Sequence, residues 1–242
     1  MSTGDAHLAH SGEAHGGRNL AERSNRIRAA VLGANDGIVS VAGLVLGDAG
    51  ATTDEKALLL AGLAGLVAGA LSMATGEFVS VSSQRDTERA AVDKERAELA
   101  ADPDGELSEL TGLYMNRGLS HDLAHQVAVE LTAHDALAAH SEAELNIRPG
   151  EYVNPWSAAL SSMVAFTVGA LIPLLAIVLS AVSYRVPLTF AAVVVALTVT
   201  GYLSARLAGA SIQRSVVRNV CGGALAMGIT YGIGVLVGSG VG

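Results

Sequence analysis

Cysteine is almost missing from this chain. Cys221 is the single one in 242 residues, which excludes a disulfide framework and a cysteine-ligated zinc cluster. Aromatic residues make up only 4%, too few for modules that bind nucleic acid by stacking bases on rings. Charged residues are 16%, against about 25% in an ordinary soluble domain. Lysine is scarce, with 2 against 13 arginines, and no basic patch lies outside the flanks of apolar runs, so nucleic acid is not an expected partner. What fills the chain is apolar. Half its residues are hydrophobic and the mean hydropathy is +0.43, which excludes a disordered or collagen-like chain.

The apolar residues come in runs long enough for a bilayer, which needs about 20 per helix. Residues 57–76, 152–184, 186–205 and 219–242 carry no Asp, Glu, Lys or Arg. A weaker run, 29–47, is apolar except for Asp36. The pattern predicts an all-α integral membrane protein with five spans near 27–49, 55–80, 156–181, 186–208 and 215–239. With the N-terminus in the cytoplasm, 13 of the 15 basic residues fall on the cytoplasmic side, and only Lys56 and Arg185 do not. Basic residues favour that side, so the expected orientation is N-terminus in, C-terminus out. Residues 1–20 lack the apolar core of a signal peptide and are expected to be a disordered tail, with His7, His10 and His15 as weak metal contacts at most.

Charge is unevenly spread. Residues 84–154 hold 15 of the 23 acidic and 6 of the 15 basic residues, a net −9, while the remainder is close to neutral. The expected division is a tail (1–20), spans one and two (21–83), a cytoplasmic acidic helical insert (84–154) and spans three to five (155–242). Within the insert a helix continues from span two to about residue 101. Asp102-Pro103-Asp104-Gly105 stops it, a second helix covers about 106–117, and Ser120 caps a third over about 121–146.

Glu95 and Glu98 are three residues apart and share a helix face, and Glu106 and Glu109 repeat that spacing after the turn. Folding the second helix back on the first lets the four converge. Carboxylates brought together repel unless a cation joins them, and oxygen-rich sites suit hard divalent ions and also hold Fe²⁺. A solvated acidic face, partnered locally by Arg89, Lys94 and Arg96, explains the same spacing. On the third helix, His140 and Glu144 are one turn apart and can close such a site. His121 and His125 form an i,i+4 pair that chelates a metal or simply faces solvent.

The apolar segments carry three further candidates. Asp36 lies inside span one, where a charge is costly and marks a functional site by default. Met73 and Glu77 are one turn apart near the end of span two. A thioether beside a carboxylate offers a soft and a hard ligand to a borderline cation such as Fe²⁺. Small residues in spans two and five, including Gly62, Gly65, Gly69, Gly222, Gly228 and Gly232, are expected to allow close helix packing, and Pro173 to kink span three.

Two runs carry a resemblance: Asn35-Asp36-Gly37-Ile38-Val39-Ser40, and Ser72 through Arg85 (SMATGEFVSVSSQR). Together with the order of two spans, an acidic helical insert and three spans, the chain resembles the vacuolar iron transporter family over about residues 20–240. The resemblance implies a homodimer that moves Fe²⁺, and in some members Mn²⁺, out of the cytoplasm in exchange for protons. It implies a pathway between the first spans of two subunits, lined at Asp36, Met73 and Glu77. It implies a metal-binding insert whose ligands match Glu95, Glu98, Glu106, Glu109 and Glu144, with Glu142 in reserve for the last. Methionine can stand about a turn before that glutamate in the family; here His140 and Ser141 stand there. The implied protein is no enzyme and needs no prosthetic group, Fe²⁺ or Mn²⁺ being its cargo and membrane lipid its surroundings. The arginine-rich composition and the lack of a presequence suggest a bacterial cell membrane. Two other classes compete: a membrane-anchored divalent-metal sensor, and a ferritin-like iron-oxidising protein. The latter uses Glu-x-x-His pairs, which this sequence lacks.

Overall fold

The computed structural model describes residues 16–240, with side chains from residue 26 onward. His7, His10 and His15 lie outside the described residues. Among these residues there are seven helices and no strand: α1 (Gly16–Ala51), α2 (Glu55–Ala101), α3 (Pro103–Asn116), α4 (His121–Ala143), α5 (Pro155–Leu179), α6 (Arg185–Ala208) and α7 (Ile212–Gly240). Five of them, α1, α2, α5, α6 and α7, are long and apolar enough to cross a membrane, the number and positions expected from the uncharged runs. The chain is an integral membrane protein. Helix α1 begins at Gly16, so the last residues assigned to the tail are helical.

Backbone proximity divides the described chain into two compact units, residues 20–79 with 155–240, and residues 80–154 together with the first residues of α1. In the first unit, α1 is the central element. Its window is half buried, more than that of any other span, although it is the least hydropathic of the five. Ile38, Val41, Ala42, Val45 and Leu46 meet Leu58 of α2, Phe166 and Leu174 of α5, Leu197 of α6 and Met227 of α7. The other helices turn apolar side chains outward, among them Leu60, Leu71, Leu179, Val195 and Leu236, as lipid-facing surfaces do. A helix that carries Asp36 is tolerable in lipid only if its polar face is turned to protein or to a cavity, so burial of α1 follows from its sequence.

Glycine sets how close the helices come, and not always the glycines expected. On α1, a Cβ at Gly33 would lie 2.5 Å from the Ser162 carbonyl oxygen, and one at Gly37 would collide with the Phe166 carbonyl. From the other side, a Cβ at Gly169 would strike the Ala34 carbonyl. This is small-residue packing of two helices with backbones in contact. Gly62 and Gly69 of α2 likewise accommodate Leu174 and the Phe166 ring. In α7 the expectation is corrected: Gly222, Gly228 and Gly232 have nothing within 4 Å of a would-be Cβ, whereas Gly223 meets Leu197 and Gly234 meets the Gly47 backbone. These glycines lie on different faces of the 3.6-residue turn, and the tertiary fold selected the face that sequence spacing did not. Helix α5 continues through Pro173, which is buried. Arg185, one of the two basic residues outside the charge rule, is buried at the start of α6 and donates from a guanidinium nitrogen to the Thr53 carbonyl at 3.3 Å.

The second unit is built on two sharp reversals. Helix α2 ends at Ala101, as the breaker sequence requires, but α3 starts at once at Pro103 instead of near residue 106. Asp102 is its N-cap, its carboxylate accepting from the Gly105 N–H at 3.0 Å, with Pro103 in the first turn. Those are favoured roles for both residues. Helix α4 ends at Ala143, short of the 146 expected, and it is interrupted. Its backbone leaves helical geometry at Asp135 (φ −159°, ψ 97°), and the Asp135 carboxylate accepts from the Ala138 N–H at 2.9 Å, capping a fresh helical segment. That break re-aims residues 136–143, with consequences for the site below.

Candidate functional site

In the membrane unit, Asp36 and Met73 come together. Asp36 is partly buried on α1, and the Ser40 hydroxyl donates to its Oδ1 at 2.8 Å. Both Asp36 and Met73 line a cavity of about 140 Å³ with Ser40, Ser72, Gly69 and Phe166. Both also line a second, of about 320 Å³, whose far wall is Arg218, Asn219, Gly222 and Gly223 of α7. A carboxylate, a hydroxyl and a thioether thus face space large enough for an ion with some of its water. Glu77, one turn past Met73, does not line either cavity. It is buried, and the Arg28 guanidinium lies 3.5 Å from its Oε2.

Three polar residues here were not singled out as site residues by sequence reasoning. The Asn35 Oδ1 is buried without a hydrogen-bond partner and Asn35, Arg218 and Asn219 line both the 320 Å³ cavity and a neighbouring one of about 470 Å³ beside Arg28 and Ser204. Arg218 is one of the 13 basic residues that the charge pattern assigns to the cytoplasmic side. The available signal was its position: it opens an uncharged run of 24 residues, as Arg28 stands at the start of the apolar run containing Asp36.

In the second unit, the acidic residues converge only in part. Glu95 of α2, Glu106 of α3 and His140 of α4 meet in the interior. The His140 Nδ1 is 3.0 Å from Glu95 Oε1 and 3.4 Å from Glu106 Oε2. His140 is fully buried and Glu95 nearly so. Glu144, exposed just beyond the end of α4, offers a carboxylate oxygen such that its ligand atom and those of Glu95 and His140 all lie within 4.8 Å of one another. Among the described residues no other group of three or more His, Cys, Asp or Glu comes together in this way. Glu142 turns instead to Arg148, which donates to it at 3.1 Å.

The remaining carboxylates sit at the edge. Glu98 accepts from the Lys94 ammonium at 2.9 Å, the local pairing that a solvated acidic face would make, and Glu109 is exposed. Both still act on the interior through their charge. Burial, followed by the Glu144 carboxylate and then Glu106 and Glu98, raises the Glu95 carboxyl from its ordinary 4.5 to about 7. Glu106 is raised as well, by burial first and then by Glu109, with His140 pulling the other way. Carboxyls that resist ionisation for want of positive charge are what a divalent cation would relieve. Among the described residues the other histidines do not join this cluster. His121 and His125 stack with ring centres 6.3 Å apart and stay exposed.

Comparison with known proteins places the chain in a family. A sequence profile described as the VIT family matches residues 27–235. Over 217 residues, 87% of this chain and 78% of the other, the chain is 43% identical to the "Vacuolar iron transporter" of Acanthamoeba castellanii. It is 39% identical over 220 residues to "Vacuolar iron transporter homolog 2.1" of Arabidopsis thaliana, covering 90% of this chain and 84% of that one. It is 38% identical over 218 residues to "Vacuolar iron transporter homolog 1" of Oryza sativa subsp. japonica, covering 90% and 76%.

Proposed function

The chain belongs to the VIT family, and from that premise we propose that it carries Fe²⁺ out of the cytoplasm in exchange for protons, with Mn²⁺ as a second substrate. A membrane transporter of metal ions, and not an enzyme, is the reading that the names of its relatives support. The observation that carries the finer reading is the pairing of Asp36 with Met73 on the walls of two cavities. An ion leaving water in a bilayer needs replacement donors. Asp36 supplies charge, Ser40 a hydroxyl oxygen and Met73 a polarisable sulfur, a mixture that suits a borderline cation.

Glu77 and Arg28 extend the route. Held near Arg28, Glu77 keeps a positive partner; an arriving divalent cation competes for the same carboxylate. Asp36 binds the cation when ionised and releases it when protonated, so metal and proton exchange by competing for one group. The acidic unit, through Glu95, Glu106 and Glu144 with Glu98 and Glu109 at its edge, collects the ion on the cytoplasmic side. The protein works as a homodimer in the cell membrane, N-terminus in, with the pathway between the α1 helices of two copies.

The deciding experiment is flux in proteoliposomes, with Fe²⁺ and Mn²⁺, with and without a pH gradient. Wild-type protein should show gradient-driven flux. Asp36→Asn should fall to the protein-free background while eluting and melting as the wild type does. Undiminished flux through Asp36→Asn would remove Asp36 from the pathway. Flux indifferent to the gradient would remove proton exchange.

A further inference from the structure

The interior of the acidic unit holds a nitrogen donor among its carboxylates. His140 is fully buried, and neither of its ring nitrogens has a hydrogen-bond partner. Its Nδ1 lies 3.0 Å from Glu95 Oε1 and 3.4 Å from Glu106 Oε2, yet without hydrogen-bond geometry to either. Glu95 Oε1 is itself buried and unpartnered. A polar group buried without a partner is costly, and two facing each other are not a comfortable apolar core. An ordinary buried histidine–carboxylate pair would align the ring N–H on the oxygen. Here a ring nitrogen of His140, an oxygen of Glu95 and an oxygen of Glu144 lie within 4.8 Å of one another, close enough for one ion to meet all three.

We propose that His140 is a ligand in this cluster and sets its selectivity, giving Glu95, His140 and Glu144, with Glu106 adjacent, a mixed nitrogen–oxygen site for first-row transition cations of the Fe²⁺, Co²⁺ and Zn²⁺ class. This rests on reading the unit as a cation-binding site. An all-carboxylate cluster is a hard-ion site that takes Mg²⁺, Ca²⁺ and Mn²⁺ readily, whereas an imidazole favours Fe, Ni, Cu and Zn. Mg²⁺ and Ca²⁺ gain little from a neutral nitrogen in place of an oxygen. His140 therefore sets selectivity by strengthening the hold on transition cations while adding little for the common cytoplasmic ions. The break at Asp135 is what makes this possible. It starts a new capped segment five residues before His140, which carries the ring into the interior while Glu144 stays at the exposed edge.

The test uses the full-length protein in detergent. Mn²⁺ serves as the paramagnetic probe for pulsed electron paramagnetic resonance, and Fe²⁺, Co²⁺, Mg²⁺ and Ca²⁺ serve for binding. Bound Mn²⁺ should show a ¹⁴N imidazole coupling that persists in His121→Ala/His125→Ala/His134→Ala and vanishes in His140→Ala. His140→Ala should weaken Fe²⁺ and Co²⁺ at least tenfold and change Mg²⁺ and Ca²⁺ less than twofold. His140→Asn, which keeps a polar side chain of similar reach, guards against simple unfolding and should show the same loss. Tight metal binding with no nitrogen coupling, unchanged by either variant, would overturn the role of His140 while leaving the carboxylate site intact. Absence of any metal binding that Glu95→Gln can abolish would overturn the site itself, and His140 with it.

Discussion

Glu95 is a residue whose acid–base chemistry the fold alters. Its carboxyl is raised to about 7 by burial and by neighbouring Glu144, Glu106 and Glu98. A carboxyl whose folded pKa lies above its unfolded value stabilises the fold in the protonated form. That contribution is complete below about pH 4.5 and is lost as pH rises through the folded value near 7. Without metal, the unit should therefore be less stable at pH 8 than at pH 5, by up to about 3 kcal/mol. If the proposed site takes a divalent cation, the cation displaces that proton, so Fe²⁺ should bind more tightly at pH 8 than at pH 6 and release close to one proton on binding near pH 6. Thermal melts in chelator at the two pH values, and titration calorimetry in buffers of different ionisation heat, check both. Glu95→Gln should flatten the melting difference. An unchanged difference in that variant would assign the pH dependence to another group.

At the scale of the helix, α1 is held by backbone contact and not by side-chain bulk. Gly33 and Gly37 abut the carbonyls of Ser162 and Phe166, and Gly169 abuts that of Ala34. A methyl group at Gly37 has no flexible side chain to push aside, so α1 and α5 must separate. Gly37→Ala should destabilise the membrane unit by about 1–3 kcal/mol, the usual range for overpacking. Gly228→Ala and Gly232→Ala, with open space around the added carbon, should leave the melting temperature within a degree or two. Equal melting of Gly37→Ala and Gly228→Ala would show that α1 packs elsewhere. Because α1 also carries Asp36, loosening it should reshape the two cavities, so the proposed pathway depends on this helix packing.

For the whole molecule, the two units divide the proposed labour, and kinetics can separate them. If the acidic unit gathers the ion, Glu95→Gln with Glu106→Gln should raise the half-saturating Fe²⁺ concentration about tenfold while leaving maximal flux near the wild-type value. Asp36→Asn should abolish maximal flux at every concentration. A fall in maximal flux with unchanged half-saturation in the double variant would mean that the carboxylates act after binding, not before it. The same assay in vesicles loaded at different pH values reports whether flux follows the proton gradient.

The sequence by itself determined the class of molecule. Five spans and one acidic insert follow from sums over consecutive residues, about 20 for a bilayer and 71 for the charge block, and such sums survive any detail of packing. It also determined that Asp36, Met73 and Glu77 are worth singling out, because a charge or a paired soft donor in an apolar run is visible in one dimension. Only the tertiary structure decided which of them meet. Asp36 and Met73 share cavity walls while Glu77 is held by Arg28. The acidic pairs behaved differently although their spacing is identical. Glu95 and Glu106 went inward to His140, Glu98 was taken by Lys94, and Glu109 stayed outside. Spacing places two residues on one face of a helix, but the angle between helices selects the one that meets a partner. Here that angle depends on the immediate start of α3 behind Asp102 and on the break at Asp135, each made by a single side-chain cap worth about 1 kcal/mol. Effects that small and that local are settled by the packing around them.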